Sequence, residues 1–262
     1  KIEIMQRLVV LGGGESGVGT AILGKKEGYD VFVSDMGRIK DKYREVLKLY
    51  EIKWEDEQHT EDLILNADIV MKSPGIPEKT PLVKKLLEKG ISVISEIEFA
   101  YPFTKAKTIG ITGSNGKTTT TMLTYHLLKE GGLNVGLGGN IGKSFAWQVA
   151  EENYDCYVLE LSSFQLDGII NYKPDIAILT NISPDHLDRY EYKYENYIAS
   201  KFRITMNQTE DDFFIYDADD EAISAWLQNN KTKAKLIPFS LNKTFENGAF
   251  IKNNTMDIII NN

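Results

Sequence analysis

A phosphate-binding motif lies near the middle of the chain, in residues 108–121. An apolar strand is predicted to end near Ile111, and a helix is predicted to begin at Lys117 and to run to about Glu130. Glycines in the loop between them let backbone N–H groups turn towards an anion, the helix N-terminus adds partial positive charge, and a lysine can reach the outer phosphates of a nucleotide. The predicted phosphate site consists of Gly113, Ser114, Asn115, Gly116, Lys117, Thr118 and Thr119.

The spacing of this motif departs from the usual P-loop, because Ile111 stands where the first glycine of that pattern is required. A glycine-rich turn that only caps a threonine-rich helix is the alternative interpretation. Consecutive threonines are poor helix formers, however, and a lysine at a helix N-terminus lies at the unfavourable end of the helix dipole. The position of Lys117 therefore favours phosphate binding, and the hydroxyl of Thr118 is placed to bind a Mg²⁺ that the phosphates carry.

A second glycine-rich loop, residues 12–17, matches Gly-x-Gly-x-x-Gly and follows a predicted strand over 8–11. A helix is predicted over 16–28, and Asp35 follows a strand over 30–34. This order is typical of a βαβ nucleotide-binding unit, with an acid about where a ribose hydroxyl would be met. Taken alone, the motif suggests NAD. Glycines that only allow close packing of helix and strand are the alternative.

Two further loops are predicted at the carboxyl ends of parallel strands, where open α/β sheets bind their ligands. Residues 73–75 read Ser-Pro-Gly, in which proline fixes the backbone and glycine leaves room for a ligand, although a rigid turn explains them equally well. Residues 185–189 bring together side chains suited to metal and phosphate, namely Asp185, His186, Asp188 and Arg189. A histidine on a loop is more often solvated, so His186 is singled out by its neighbours and not by its type.

Glu160 lies inside an apolar run, residues 156–161, that predicts a buried strand. A carboxylate in such a run is costly unless it meets a cation, and a Mg²⁺ bound to a nucleotide on the neighbouring loop is a suitable partner. Exposure of Glu160 at the end of its strand is the alternative. Further along, a helix predicted over 194–206 carries Lys201 and Arg203, which periodicity alone assigns to a solvated face.

The composition describes an ordinary soluble protein of 262 residues with 42% apolar and 26% charged residues. A net charge of −8 excludes the basic footprint of a protein that binds a nucleic-acid backbone. The single cysteine, Cys156, lies in an apolar run and is predicted to be a core residue in a reducing compartment. No stretch reaches the length of a membrane span and no signal-peptide pattern is present, so we expect a cytoplasmic protein without membrane association.

Alternating strands and helices predict an α/β fold in two domains. A Rossmann-like parallel-sheet domain is expected in residues 1–103, followed by a P-loop-type α/β ATPase domain in residues 104–262 that lacks its last strands. The boundary falls in residues 101–107, which contain Pro102 and show no periodicity.

Four motifs follow one another along the chain. They are Gly-Ser-Asn-Gly-Lys-Thr-Thr at 113–119, Gly-Gly-Asn-Ile-Gly at 138–142, Leu-Glu-Leu-Ser-Ser-Phe-Gln-Leu at 159–166 and Asp-His-Leu-Asp-Arg-Tyr at 185–190. Each motif is weak alone, but the four in this order are a strong signal, and with them the chain resembles the Mur ligases of peptidoglycan synthesis. The third motif and Ser-Pro-Gly-Ile at 73–76 resemble the branch of the family that adds D-glutamate.

The resemblance implies a site for the uridine diphosphate of UDP-N-acetylmuramoyl-L-alanine, in place of NAD, in the first domain. The residues implied are Gly14, Glu15, Ser16, Gly17, Asp35, Ser73, Pro74 and Gly75. For the central domain it implies ATP and two Mg²⁺ ions, with Thr118 and Glu160 on the first ion and His186 on the second. Lys201 would be carbamylated and support the second metal, while Asn140 and Ser162 would face the substrate. The implied catalytic residues are Lys117, His186 and Lys201.

The implied reaction converts the terminal carboxylate of the substrate to an acyl phosphate at the expense of ATP. The amine of D-glutamate then attacks, and phosphate leaves. Because a carboxylate and a triphosphate must be brought together, such a site mainly neutralises charge and positions its reactants. Family members carry a third, C-terminal domain for the amino acid that is absent here, so we expect this chain, a monomer, to bind the UDP-sugar without turning it over.

Three other functions remain open at this point. A folylpolyglutamate-type ligase would share the phosphate site but would not be expected to carry the first domain. A non-catalytic nucleotide-binding module would not need Lys117, Glu160 and His186 together. An NAD-dependent oxidoreductase would explain residues 12–17 but would leave the phosphate site without a purpose.

Overall fold

The computed structural model describes residues 5–261, which form thirteen strands and ten α-helices. The strands are β1 (Arg7–Leu11), β2 (Asp30–Ser34), β3 (Lys53–Glu55), β4 (Ile69–Lys72), β5 (Ser92–Ile94), β6 (Lys107–Thr112), β7 (Val135–Gly139), β8 (Cys156–Glu160), β9 (Ile176–Leu179), β10 (Phe213–Asp217), β11 (Lys235–Ser240), β12 (Gly248–Lys252) and β13 (Thr255–Ile259). The helices are α1 (Glu15–Lys26), α2 (Asp41–Leu49), α3 (Glu61–Ile64), α4 (Pro81–Glu88), α5 (Glu96–Ala100), α6 (Lys117–Glu130), α7 (Phe145–Glu151), α8 (Ser163–Asp167), α9 (Tyr194–Phe202) and α10 (Glu221–Asn229). Among these helices, none is both long enough and apolar enough to traverse a lipid bilayer.

The first sheet has five parallel strands in the order β3-β2-β1-β4-β5. Strand β1 lies at its centre, and the side chains from Leu8 to Leu11 are fully buried, as expected for a parallel strand covered on both faces. Because β2 and β4 flank β1, the loops that follow these three strands meet at one edge of the sheet. The glycine loop, Asp35 and Ser73 belong to these loops.

The second sheet has eight strands in the order β13-β12-β11-β10-β9-β6-β8-β7. All its pairs are parallel except β12 with β13, a hairpin whose two-residue turn is Asn253-Asn254. Both asparagines have positive φ, the conformation of a type I′ turn. Cys156 packs in the core with Ile111 and Val158, and burial raises the pKa of its thiol, so its predicted role as a core residue is confirmed.

Two predicted helices end earlier in the structure. Helix α1 ends at Lys26, whereas the prediction extended it to residue 28. Helix α9 ends at Phe202 and continues only as a 3-10 turn, Arg203–Thr205, whereas the prediction extended it to residue 206. Helix α7 begins at Phe145, because Ser144 caps it by accepting a hydrogen bond from the N–H of Trp147. The predicted α/β class with parallel sheets is confirmed.

Contacts divide the chain into two compact units, and the first of them is discontinuous in sequence. The first unit runs to Lys105 and also contains Ile141–Asn153 and Asp167–Tyr172. The second unit contains Ala106–Asn140, Tyr154–Leu166 and the chain from Lys173 onwards. The predicted division at residue 103 treats the domains as consecutive and stays a prediction.

Helix α5 carries the carboxylates that bind these two additional segments within the first unit. The buried carboxylate of Glu98 accepts hydrogen bonds from the backbone N–H groups of Ile170 (2.8 Å), Asn171 (2.9 Å) and Tyr172 (2.9 Å). The carboxylate of Glu96 accepts one from the hydroxyl of Ser144 at 2.5 Å and one from the N–H of Ala146 at 2.9 Å. These bonds are only possible once residues 141–172 are present.

We expect the substitution Glu96→Gln to flatten the dependence of stability on pH. Burial raises the pKa of Glu96 above the ordinary value of 4.5, and the charge of Glu15 adds to this, although hydrogen bonds from Ser144 and Ala146 oppose it. A raised pKa gives the folded state a stability that is present below the unfolded pKa and is lost as pH rises through the folded pKa. Glutamine stays neutral, so the free energy of unfolding of the variant should fall less between pH 4.5 and pH 8 in denaturant titrations. Equal slopes for parent and variant would contradict this.

Candidate functional site

The loop between β6 and α6 has the backbone that the phosphate motif predicts. Gly113 has a φ of +148° and Gly116 a φ of +76°, conformations that favour glycine. A Cβ at position 113 would lie 2.0 Å from Oγ1 of Thr180, so the loop passes close to the end of β9. Lys117 is the first residue of α6, and its Nζ donates to the carbonyl oxygen of Ser114 at 2.9 Å. The loop therefore has the curved backbone that a phosphate-binding loop requires.

The loop after β9 holds this curve in place. The N–H of Ser114 donates to the carbonyl oxygen of Asn181 at 2.9 Å, and the N–H of Asn115 donates to Oδ1 of Asn181 at 2.9 Å. The hydroxyl of Ser114 donates to the carbonyl oxygen of Ser183 at 2.9 Å. Sequence reasoning missed Asn181, because an asparagine after a strand reads as an ordinary turn residue.

Three predicted site residues meet at the carboxyl end of β8. The carboxylate of Glu160, only 1% exposed, accepts hydrogen bonds from Oγ1 of Thr118 at 2.8 Å and from Nδ2 of Asn140 at 2.9 Å. The register of β6 with β8 pairs Ile111 with Glu160 and so brings the loop before Thr118 to this end of β8, while the register of β7 with β8 pairs Gly139 with Glu160 and brings Asn140 there. Both donors are neutral groups. The buried carboxylate of Glu160 and the hydroxyl of Thr118 therefore offer oxygen ligands beside the predicted phosphate site, an arrangement that suits Mg²⁺.

The structure corrects the assignment of Lys201 to a solvated helix face. Its side chain is 2% exposed, and Nζ lies 3.3 Å from Oγ1 of Thr112, the last residue of β6. The ring of Tyr197 lies beneath the ammonium group at 5.3 Å from its centroid. Arg203 is half-buried, and its Nε donates to the carbonyl oxygen of Leu166 at 2.7 Å. Periodicity failed because the face of α9 that carries Lys201 packs against the sheet.

His186 lies on the loop between β9 and α9, in left-handed backbone with a φ of +49°. Its side chain is 55% exposed, and Nε2 lies 3.5 Å from Oδ2 of Asp185. The imidazole ring contacts the ring of Phe164, with 5.2 Å between centroids. No group of three or more His, Cys, Asp or Glu side chains suited to a metal occurs within residues 5–261, so a second metal would need ligands beyond His186.

Ser162 uses its hydroxyl within its own turn. The hydroxyl donates to Oε1 of Gln165 at 3.1 Å and accepts the N–H of Gln165 at 3.2 Å, so it caps the short helix α8. Whether it also reaches a substrate stays a prediction from the resemblance.

In the first unit, the glycine loop and Asp35 form one hydrogen-bonded group. Oδ2 of Asp35 accepts the N–H of Gly13 at 2.6 Å, and Oδ1 accepts the N–H of Gly37 at 2.8 Å. Ser73 follows β4, and its N–H donates to the carbonyl oxygen of Leu11. The carboxylate of Glu15 accepts the hydroxyl of Tyr43 at 2.8 Å. The predicted residues of this site therefore lie together at the carboxyl edge of the first sheet.

A groove of about 700 Å³ lies in the second unit between α9 and α10, and none of the predicted site residues lines it. Its walls include Tyr194, Ile198 and Trp226. Asp220, which also lines the groove, accepts the N–H of Ile182 at 2.8 Å and caps α10. By accepting this bond, Asp220 fixes the start of the loop that carries His186. Sequence reasoning missed this role, because an aspartate just before a helix is interpreted only as its N-cap.

Comparison with known proteins gives the class that this fold and this site define. Residues 111–259 match the Mur ligase middle domain, and residues 7–82 match the MurD N-terminal domain. The chain belongs to the Mur ligase family. The second match also indicates that the glycine loop is that of a Mur ligase and not that of an NAD-dependent oxidoreductase.

Among curated proteins, the chain is similar to UDP-N-acetylmuramoylalanine--D-glutamate ligases. It is 67% identical to the enzyme of Christiangramia forsetii, and the match covers 98% of this chain and 58% of the relative. It is 57% identical to the enzyme of Bacteroides fragilis, and that match covers 97% of this chain and 57% of the relative. The chain thus spans less than three fifths of the length of these relatives.

Solved structures agree in fold. The crystal structure of UDP-N-acetylmuramate:L-alanyl-gamma-D-glutamyl-meso-diaminopimelate ligase from Neisseria meningitides matches 98% of this chain and 85% of its own, with a TM-score of 0.64 at 17% identity. UDP-N-acetylmuramate-alanine ligase MurC from Thermotoga maritima matches 90% and 53%, with a TM-score of 0.55 at 21% identity. At these identities the likeness supports the architecture and not the substrate.

Proposed function

We propose that this chain provides the UDP-sugar-binding and ATP-binding parts of an enzyme that joins D-glutamate to UDP-N-acetylmuramoyl-L-alanine. The observation that carries the proposal is the buried carboxylate of Glu160 between the hydroxyl of Thr118 and the amide of Asn140, beside the phosphate loop. The similarity of the chain to UDP-N-acetylmuramoylalanine--D-glutamate ligases, at 67% and 57% identity, supports the choice of substrates.

Within this proposal, the phosphate loop binds the β- and γ-phosphates of ATP through its N–H groups and through Nζ of Lys117. Lys117 must exchange its present bond to the carbonyl oxygen of Ser114 for a phosphate oxygen. Thr118 and Glu160 would hold Mg²⁺, whose charge offsets that of the triphosphate. Asn140 keeps the carboxylate of Glu160 oriented, and its own position beside that carboxylate suits contact with the sugar substrate.

In the proposed reaction, these residues position the reactants more than they transfer protons. The carboxylate of the substrate attacks the γ-phosphorus, the bond to ADP breaks, and the acyl phosphate forms. The amine of D-glutamate then attacks the acyl carbon and expels phosphate. A carboxylate nucleophile needs no general base in the first step, so a site made of N–H groups, a lysine and hard oxygen ligands suffices there.

Lys201 is proposed to be carbamylated. Its neutral amine would attack CO₂, form a carbamate and release a proton, which exchanges a buried cation for an anion beside Thr112. Burial to 2% exposure favours this, because a buried ammonium group is costly. The carbamate and His186 would then support a second Mg²⁺. In the first unit, the loop Gly14 to Gly17, with Asp35 and residues 73–75, is proposed to bind the uridine diphosphate.

Calorimetric titration of the chain tests the proposal, with UDP-N-acetylmuramoyl-L-alanine, UDP, NADH and Mg·ATP as ligands. We expect the UDP-sugar to bind more tightly than UDP, Mg·ATP to bind at a separate site, and NADH to give no heat. A preference for NADH, or no heat with either uridine ligand, would refute the role of the first unit. No heat with Mg·ATP would refute that of the second.

A further inference from the structure

One aromatic ring contacts two of the polar side chains on the loop that carries His186. The ring belongs to Phe164, on α8, four residues after Glu160. Its centroid lies 5.2 Å from that of His186 and 4.2 Å from Cζ of Arg189, which sits over the ring face. The ring of Tyr190 is stacked parallel to it at 6.1 Å. Three contacts of the Phe164 ring therefore join residues 186–190 to the segment that follows β8.

The loop needs such contacts because its backbone is strained. His186, Glu191 and Tyr192 have φ values of +49°, +56° and +57°, which non-glycine residues adopt only when their surroundings fix them. The side chain of His186 is 55% exposed, so burial does not fix it. Phe164 is the ring against which its imidazole rests.

Hydrogen bonds return Tyr190 to the same segment. The hydroxyls of Tyr190 and Ser200 lie 3.2 Å apart, and the hydroxyl of Ser200 donates to the carbonyl oxygen of Ser163 at 3.2 Å. Because the single proton of Ser200 goes to Ser163, the hydroxyl of Tyr190 is the donor to Ser200. Tyr190 therefore contacts α8 directly through Phe164, and also indirectly through Ser200 of α9, which is bonded to Ser163.

We propose that Phe164 is a positioning residue that sets the orientation of the His186 imidazole and of the Arg189 guanidinium relative to Glu160. The proposal rests on the proposed function for what His186 and Arg189 do, and on the structure for how they are held. Phe164 links the third and fourth sequence motifs, so that the end of β8 and the loop after β9 move as one piece. Aromatic and cation–π contacts supply the direction that a purely apolar side chain would not.

The test compares Phe164→Leu with Phe164→Tyr and Phe213→Leu. Phe213 is a matched control, because it is a half-buried phenylalanine of the same unit with Nζ of Lys235 over its ring at 5.2 Å. With only three histidines in the chain, the imidazole resonances of His186 can be assigned by one variant, His186→Gln, and followed in spectra recorded without nucleotide. The leucine should shift only the His186 resonances, the tyrosine should keep them near the parent values, and Phe213→Leu should change no histidine.

A second readout is the affinity for Mg·ATP, which should fall about threefold to tenfold in Phe164→Leu and stay unchanged in Phe213→Leu. Unchanged His186 resonances in Phe164→Leu, or equal effects of Phe164→Leu and Phe213→Leu, would overturn the positioning role and leave Phe164 as packing only. Failure of the parent chain to bind Mg·ATP would overturn the proposed function, whereas the imidazole resonances decide the positioning role independently.

Discussion

The substitution Glu160→Gln is expected to remove Mg²⁺-dependent binding of ATP while the second unit stays folded. Glutamine has the same shape, and its amide can still meet the hydroxyl of Thr118 and the amide of Asn140 after rotation of the hydroxyl. Its oxygen carries no charge for a divalent cation, however. We expect an affinity for Mg·ATP lower by about 100-fold or more, since even outer-shell changes at metal sites cost 10–100-fold. Calorimetry with and without Mg²⁺ measures this.

Asp212→Asn provides the matched control. Asp212 is a buried carboxylate of the same unit, 2% exposed, that pairs with Lys173 and accepts the N–H of Thr209 at 2.6 Å, away from the phosphate loop. Burial tends to raise its pKa, but the bonds from Lys173 and Thr209 outweigh this and lower it, so its stability contribution is present above the unfolded pKa and is lost in acid. The control should therefore cost about 2–3 kcal/mol at neutral pH and leave Mg·ATP affinity unchanged. Equal loss of affinity in both variants would show that Glu160 acts only through stability.

The substitution Gly17→Ala is expected to destroy the glycine loop of the first unit. A Cβ on Gly17 would lie 1.8 Å from the carbonyl oxygen of Gly12, a backbone atom that cannot move without displacing the end of β1. We expect a loss of more than about 3 kcal/mol in the free energy of unfolding, together with loss of UDP-sugar binding. Denaturant unfolding and the calorimetric titration measure the two effects.

Gly14→Ala separates this clash from a general intolerance of side chains in the loop. A Cβ on Gly14 meets no atom within 4 Å, and its φ of −85° suits any residue. Its stability should stay within about 0.5 kcal/mol of the parent. If both variants unfold alike, the close approach of helix and strand at Gly17 is not the reason for the glycine.

Much of the phosphate site could be predicted from the sequence, because local chemistry determines it. A strand that ends in a glycine loop and a helix that begins with Lys117 are recognisable without tertiary information. Helix α6 has the predicted limits, and β6 ends at Thr112, one residue after the predicted end. Glu160 could be predicted as a site residue for a physical reason too, since a carboxylate in an apolar strand requires a partner. The sequence does not give the order of the strands in the sheet. It therefore could not show that Thr118 and Asn140 are the residues that donate hydrogen bonds to Glu160.

Other features depend on packing between distant segments and could not be predicted. Helical periodicity placed Lys201 in solvent, and only the sheet beneath α9 explains its burial. Ser95 and Glu98 have the spacing of a helix-capping pair, yet the carboxylate of Glu98 binds the N–H groups of residues 170–172 instead. Nothing in the sequence pairs Phe164 with the loop after β9, and its contacts with that loop appear only in three dimensions.

The discontinuity of the first unit also sets the order in which the protein can fold during its synthesis. When residue 105 has been made, all five strands of the first sheet exist, but the carboxylates of Glu96 and Glu98 still lack Ser144 and the N–H groups of residues 170–172. The first unit therefore cannot complete its fold as an N-terminal domain ahead of the rest, as consecutive domains usually do. By the time residue 172 emerges, β6, β7 and β8 have been made as well. The first unit can therefore complete its contacts only after part of the second unit has been made, and ribosome stalling between residues 105 and 172 would leave the carboxylates of Glu96 and Glu98 without these hydrogen-bond partners.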